Sequence, residues 1–306
     1  MTGTLNMADM AVRLPSVSGT RTLVAAFGFL VVGIGLKMAL YPLHLWLPNA
    51  YTYAPSVVSS FLAATATKVS VYIMLRFAFT VFGAGFVFER LRLGWILLPL
   101  ALAGAFFAST VAIFQRDVKR LLAYSSIAQV GYMVLGIGLG TLSGLTATIV
   151  HMFNHALMKG ALFMAMGCIA LRAGGVSIDE MRGLARRMPL TAFAWLVGGL
   201  GLIGVPLTAG FVSKWYLIAA ALESGLWPVA ALVLLSSLLA LVYVWRVVET
   251  LYFGEPREPA AGGEAPASML GPTWVLIGAV VLFGVWSAFS VGVARRAAIS
   301  LLGGAP

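Results

Sequence analysis

Lys37, Lys68, Lys159 and Lys214, four of the chain's five lysines, lie inside long apolar stretches, and His151, His155 and Lys159 follow one another at spacings of four. A lysine at the centre of a membrane helix costs roughly 2.5–3.5 kcal/mol, so such residues face a bundle interior and serve ion or proton movement. The arginines gather instead at the ends of apolar runs and in the loops between them. Buried lysine can release its proton and arginine effectively cannot. The titratable cation is thus kept inside and the permanent one outside. Four helical residues advance about 400°, so the two histidines and Lys159 share one face as a ladder ~12 Å long. Asn154 borders it. Histidine changes charge near neutral pH and is a natural relay beside a buried amine. Chelation by the histidine pair is the sharp alternative. No Asp, Glu or Cys lies nearby in sequence, so no metal site is assigned.

Two helix breakers stand next to lysines. Lys37 precedes Pro42 in Gly-Leu-Lys-Met-Ala-Leu-Tyr-Pro-Leu-His, with His44 and Trp46 flanking the break. Lys214 follows Pro206 and Gly210 in Gly-Val-Pro-Leu-Thr-Ala-Gly-Phe-Val-Ser-Lys. Proline removes a backbone hydrogen bond and clashes with the preceding turn. Lipid cannot satisfy the freed carbonyls, so broken helices persist only against protein or water. Paired breaks in two halves of a transporter mark an ion site. Lys68 sits mid-run with Thr65, Thr67 and Ser70 as the expected partners of its amine. Tyr124, Ser125, Ser126 and Gln129 make a polar patch that fits either a water path or helix–helix hydrogen bonding.

These residues require an all-helical membrane scaffold. Of 306 residues, 61% are hydrophobic and only 10% charged, against about 25% charged in soluble domains. Eight membrane helices are expected, over about 23–47 (interrupted near Pro42), 55–82, 93–114, 118–139, 142–171, 189–222 (interrupted around Gly204–Gly210), 227–253 and 272–293. Residues 1–21 read as an extramembrane segment, 22–253 as a seven-helix proton-translocating domain, 254–271 as a polar loop, and 272–306 as the last helix with a tail. The net charge of +10 is spread over loops, which points to topology and not to nucleic acid. A small excess of loop arginines, with Arg257 among them, sets the side opposite the termini in the cytoplasm. Cys168 stands alone, so no disulfide, iron–sulfur or zinc set is available.

All ten carboxylates, Glu258 and Glu264 included, fall in loops or near helix ends. If all four intramembrane lysines were charged and unpaired, the cost would be about 10–14 kcal/mol. Either some are neutral at rest, because burial penalises the charged form, or another polypeptide supplies carboxylates. Gly199-Leu-Gly201-Leu-Ile-Gly204 matches a dinucleotide fingerprint by letter, but it lacks a preceding strand and a following acid. Close helix packing explains it better. No cofactor-binding, redox or hydrolytic site is visible in the chain.

The stretch Lys37 to Pro55 (Lys-x4-Pro-Leu-His-x-Trp-Leu-Pro-x-Ala-x4-Pro), Ala123-Tyr-Ser-Ser-Ile, His151-x3-His-x3-Lys, Met181-Arg-Gly-Leu and Pro206-x3-Gly-Phe-x2-Lys together resemble the antiporter-like proton-translocating subunits. That family includes the large membrane-arm subunits of complex I (NADH:quinone oxidoreductase) and subunits of Mrp cation/proton antiporters. The wording around His151–Lys159 and Arg186–Trp215 looks nearest to an Mrp D-type subunit.

The resemblance implies a bundle of about fourteen helices, built from two inverted five-helix repeats that each hold one broken helix. Lys37 takes the place of the seventh-helix lysine and Lys68 that of the eighth-helix lysine. His151, His155 and Lys159 match the polar row of the eleventh helix, and Lys214 the lysine of the twelfth. On this reading the chain is N-terminally truncated: it begins at the seventh helix, without the fifth-helix glutamate that pairs with the lysine in the position of Lys37. The implied function is proton translocation in a multi-subunit complex of the bacterial cytoplasmic membrane, with both termini outside. Its partners would be other membrane subunits, lipid, protons and a monovalent cation such as sodium. The alternatives are a membrane-arm subunit of an NADH:quinone oxidoreductase, whose redox chemistry belongs to partner subunits, and a non-transporting fragment.

Overall fold

In the computed structural model, residues 2–255 and 263–304 are described. Arg257 and Glu258, placed above in the polar loop, lie outside the described residues. The chain is an integral membrane protein, and no strand forms among the described residues. Twelve α-helices follow in order: α1 Met7–Val17, α2 Arg21–Met38, α3 Trp46–Tyr53, α4 Ser56–Leu75, α5 Gly94–Ile113, α6 Val118–Leu139, α7 Leu142–Ala173, α8 Pro189–Ile203, α9 Ala209–Glu223, α10 Trp227–Phe253, α11 Ala267–Val285 and α12 Ala288–Leu301. Among the described residues, seven spans are long and apolar enough to cross a membrane. The expected eighth, 189–222, is instead the pair of shorter helices α8 and α9, 15 residues each.

Burial sorts the spans into layers. The apolar window of α6 is 94% buried, against 22% for α2 and 17% for α11, so α6 is the central post and the others carry the lipid-facing surface. Its polar side chains Ser125, Ser126 and Gln129 are buried in the bundle, since lipid cannot satisfy them. α7 is its partner: 32 residues make a rod of ~48 Å, longer than the ~30 Å hydrocarbon layer. It packs against α4, α6, α8, α9, α11 and α12, while α5 closes the other flank of α6.

Short polar devices hold the helix ends. Asp117 caps α6 by accepting from the Arg120 amide at 2.8 Å. The loops before α6 and after α7 pair through Val118 N–H to the Val176 carbonyl (2.9 Å) and Ile178 N–H to the Arg116 carbonyl (2.8 Å). Arg246 of α10 donates to the Gln115 carbonyl at 2.9 Å, which ties α10 to the carbonyl end of α5.

Some elements differ from the sequence reading. Residues 7–17 of the N-terminal segment form a helix, because Asn6 caps it by accepting from the Ala8 and Asp9 amides. After α4 the chain widens into π-helical turns at Arg76–Val81 and Gly85–Arg90. The last membrane helix begins at Ala267 and ends at Val285, not at 272 and 293. Pro272 lies within it, where its missing N–H leaves one carbonyl free, and Pro266 takes the N-cap position instead. At Gly284 the helix meets the Leu207–Thr208 backbone so closely that a Cβ would overlap it. There the chain turns, and the expected tail is the helix α12.

Candidate functional site

The two expected breaks are present and resolve their freed carbonyls differently. α2 stops where Ala39 adopts a left-handed φ of 61°. Turns around the cis Tyr41–Pro42 peptide lead into α3. The break falls before Pro42, and its carbonyls are taken locally: Gly35 O by the Leu40 amide at 2.8 Å, Leu36 O by the Trp46 indole at 2.7 Å. His44 is buried, its ring stacked on Tyr41 at 5.4 Å, and neither ring nitrogen has a hydrogen-bond partner in the protein.

In the second break α8 ends at Gly204 and α9 starts at Ala209, with Pro206 exposed between them. The last turn of α8 leaves carbonyls unpaired, and these bind Lys214. Its Nζ donates to Leu202 O at 2.9 Å, to Ile203 O at 2.8 Å and to Ser237 Oγ at 3.1 Å. The carbonyl end of a helix favours a cation. Gly204 is required twice over, by its φ of +88° and because a Cβ would stand 2.9 Å from Lys214 Cδ. At Gly210 a Cβ would overlap the Gly201 carbonyl, so glycine permits α9 to return against α8. The glycine-rich stretch 199–204 is thus a packing seam: Gly199 meets Val244 and Gly201 meets Met158.

The ladder on α7 points into the bundle. His151, Asn154, His155 and Lys159 are all at most 1% exposed. The two imidazoles stack 5.9 Å apart and nearly parallel. His151 Nδ1 pairs with Ser213 Oγ at 2.8 Å, and Asn154 donates to Ala209 O at 2.7 Å, which anchors both to α9. Neither nitrogen of His155 has a partner within the protein. Lys159 donates to Leu122 O at 2.7 Å and to Ser125 Oγ of α6. Lys68 of α4 is buried and donates to the Ala63 carbonyl. Its expected partners do otherwise, since Thr65 bonds Phe61 O, Ser70 bonds Ala66 O, and the Thr67 hydroxyl has no partner in the protein. Lys68 of α4, the ladder of α7 and Lys214 of α9 are all buried, and α7 packs against both α4 and α9, so the three helices bring these groups into one interior.

Lys37 stands apart. It was expected inside the bundle, but it is exposed on the open face of α2 beside Leu36 and Gly33. α2 is covered by α4 along one side only, and Lys37 falls on the other. Among the described residues, the ion pairs Arg13–Asp9 and Arg182–Asp179 are both at the surface. The buried amines of Lys68, Lys159 and Lys214 are held by carbonyls and hydroxyls instead.

Sequence reasoning missed Ser213, Ser237 and Tyr132, whose ring lies 5.1 Å below the Lys214 ammonium. Tyr132 stands seven positions after Ser125 on the face already marked as polar. That spacing was the available signal. It also missed Glu264, whose carboxylate accepts from the Leu190 amide at 2.6 Å and the Thr191 hydroxyl at 2.6 Å, capping α8 from the far end of the chain.

Comparison with known proteins agrees with this architecture. The family described as NADH:quinone oxidoreductase/Mrp antiporter, transmembrane region, matches residues 1–240. The chain is 45% identical over 298 residues to NADH-quinone oxidoreductase subunit N of Desulforudis audaxviator, covering 92% of this chain and 59% of that protein. It is 30% identical over 304 residues to the D-type subunit of the Na(+)/H(+) antiporter of Bacillus subtilis, covering 99% and 61%. It thus spans about three fifths of the length of these curated relatives. A chain of the archaeal membrane-bound sulfane sulfur reductase superposes with a TM-score of 0.87 at 34% identity, over 98% of this chain and 60% of that one. A chain of the Mrp complex from Dietzia sp. DQ12-45-1b shares the fold with a TM-score of 0.90 at 24% identity, over 98% and 63%.

Proposed function

This chain belongs to the NADH:quinone oxidoreductase/Mrp antiporter transmembrane family, and from that premise we propose that it is a proton-translocating subunit of a multi-subunit membrane complex, most like the D-type subunit of an Mrp cation/proton antiporter. The observation that carries this reading is the set of buried side chains Lys68, His155, His151, Lys159 and Lys214, with no buried carboxylate among the described residues. Residues 22–253 form the translocating unit, in a cytoplasmic membrane with both termini outside. Pro42, Pro206 and Gly210 belong to the breaks that open its paths. Lys37, on the exposed face of α2, serves at the edge of the row toward a neighbouring polypeptide.

The physics of the row is repulsion between like charges. His151 and Lys159 stand two turns apart, and two unit charges ~12 Å apart repel by about 1.4 kcal/mol at an effective dielectric near 20. That is roughly a tenfold change in occupancy, so a proton arriving at one member favours release from another. Moving a charge against ~100 mV costs ~2.3 kcal/mol. The energy would come from a monovalent cation gradient such as sodium.

A second reading, a membrane-arm subunit of an NADH:quinone oxidoreductase, is favoured by the 45% identity to a subunit N. There the energy would come from redox partners, and the row would work in the same way. Lys159→Ala or Lys214→Ala should abolish proton uptake by vesicles carrying the assembled complex. Unchanged uptake in both would refute the role. Sodium dependence of the wild-type flux separates the two complexes.

A further inference from the structure

The histidine ladder is not the only polar line between Lys159 and Lys214. Ser125, Gln129 and Tyr132 follow at spacings of four and three on α6, which sets them on one face, and Ser236 and Tyr243 stand seven apart on one face of α10. The two faces meet. Tyr132 Oη and Ser236 Oγ are 2.7 Å apart, and the Tyr243 hydroxyl faces Ser125 and Gln129. All five side chains are at most 1% exposed. Each end already touches a lysine: Ser125 Oγ accepts from Lys159, and Ser237, next to Ser236, accepts from Lys214 at 3.1 Å.

If these groups served only to glue two helices, they would pair with one another. The Tyr243 hydroxyl and Gln129 Oε1 instead stand close together, beside Ser125, without reaching good hydrogen-bond geometry. Leaving such a group unpaired costs about 1–3 kcal/mol, and native interiors keep such places for function or for water. A tyrosine hydroxyl has both a donor and an acceptor to offer, and here neither makes a well-formed bond within the protein.

We propose that α6 and α10 carry a second proton line, from Lys159 through Ser125, Tyr243, Tyr132 and the Ser236–Ser237 pair to Lys214, in parallel with His155 and His151. It rests on the proton-transfer reading of the lysine row. One transfer breaks an N–H bond on Lys159 and forms one on Lys214. Each hydroxyl between them accepts a proton at oxygen as it hands its own onward, so none changes charge, and each then turns to reset. The line requires one water beside Gln129 to bridge the two tyrosine hydroxyls, relaying in the same way.

Proton uptake by vesicles carrying the assembled complex tests the line with Tyr243→Phe, His155→Leu and the double variant, at matched amounts of complex in the membrane. Tyr243→Phe removes a single oxygen. Should it lower assembly, Tyr132→Phe interrupts the same line. Two parallel lines predict that each single change lowers uptake by about twofold and that the combination loses far more than the product of the two. Loss in the double variant should reach at least about tenfold. The second line is overturned if Tyr243→Phe adds nothing in the His155→Leu background, or if either single change alone abolishes uptake. If Lys159→Ala and Lys214→Ala leave uptake intact, the reading beneath fails as well, which is a separate and distinguishable result.

Discussion

Replacing Gly204 by alanine should disable Lys214 without touching it. The substitution acts in two ways. Alanine at a φ of +88° is strained by roughly 1–2 kcal/mol, the left-handed penalty for a residue with a Cβ. The new methyl also stands 2.9 Å from Lys214 Cδ, so the lysine stem must swing away. That swing draws Nζ off Leu202 O and Ile203 O, now at 2.9 and 2.8 Å. A hydrogen bond to a charged group contributes about 1.5–3 kcal/mol, so losing one brings the total to about 2.5–5 kcal/mol. Gly225 supplies the control: its φ is +71° and nothing lies within 4 Å of its would-be Cβ. Gly225→Ala therefore carries the backbone strain alone. Thermal unfolding of the purified protein should show both variants weakened, Gly204→Ala more so. Proton uptake should fall about tenfold or more in Gly204→Ala, the equivalent of one displaced ammonium bond, and stay near wild type in Gly225→Ala. Equal uptake in the two variants would refute the claim that the carbonyl end of α8 positions this lysine.

Two further outcomes follow from the ends of the broken helices. Glu264→Ala removes the cap of α8 and a carboxylate at a helix N-terminus, and should cost about 1–2 kcal/mol in unfolding measurements; Glu264→Gln should recover part of it, and no loss with alanine would mean that α8 is held by packing alone. Trp46→Phe removes the indole donor at 2.7 Å from Leu36 O, which keeps the Ala39 amide; this should cost about 0.5–1.5 kcal/mol and loosen α2 against α3, read as faster amide exchange at residues 36–46; unchanged exchange would show that the break satisfies itself without the tryptophan.

Much of the scaffold was readable because it depends on local chemistry. The limits 118–139 and 227–253 coincide with α6 and α10, since capping Asp117 and the Trp-Pro start of α10 are signals in the chain itself. The breaks were marked by Pro42, Pro206 and Gly210, and the α7 ladder by its spacing. What escaped depends on partners distant in sequence. Lys37 and Lys68 sit in similarly apolar surroundings by sequence, yet one is exposed and the other buried, because burial is decided by which helix lies alongside. The acceptors of the buried lysines are mainly backbone carbonyls, which every residue has and no motif advertises. Glu264 meets Thr191 across 73 positions, beyond the reach of any periodicity.

The neutral acceptors around Lys159 and Lys214 have a consequence for how such a row could cycle. A lysine paired with a carboxylate loses its attraction when it deprotonates, and the pair drifts apart. An amine bound to carbonyls and hydroxyls keeps two N–H donors after its proton has gone, and Lys214 has three acceptors at hand. Its loaded and unloaded forms can therefore occupy nearly the same pose. If Lys214 carries protons as proposed, turnover there calls for little side-chain reorganisation.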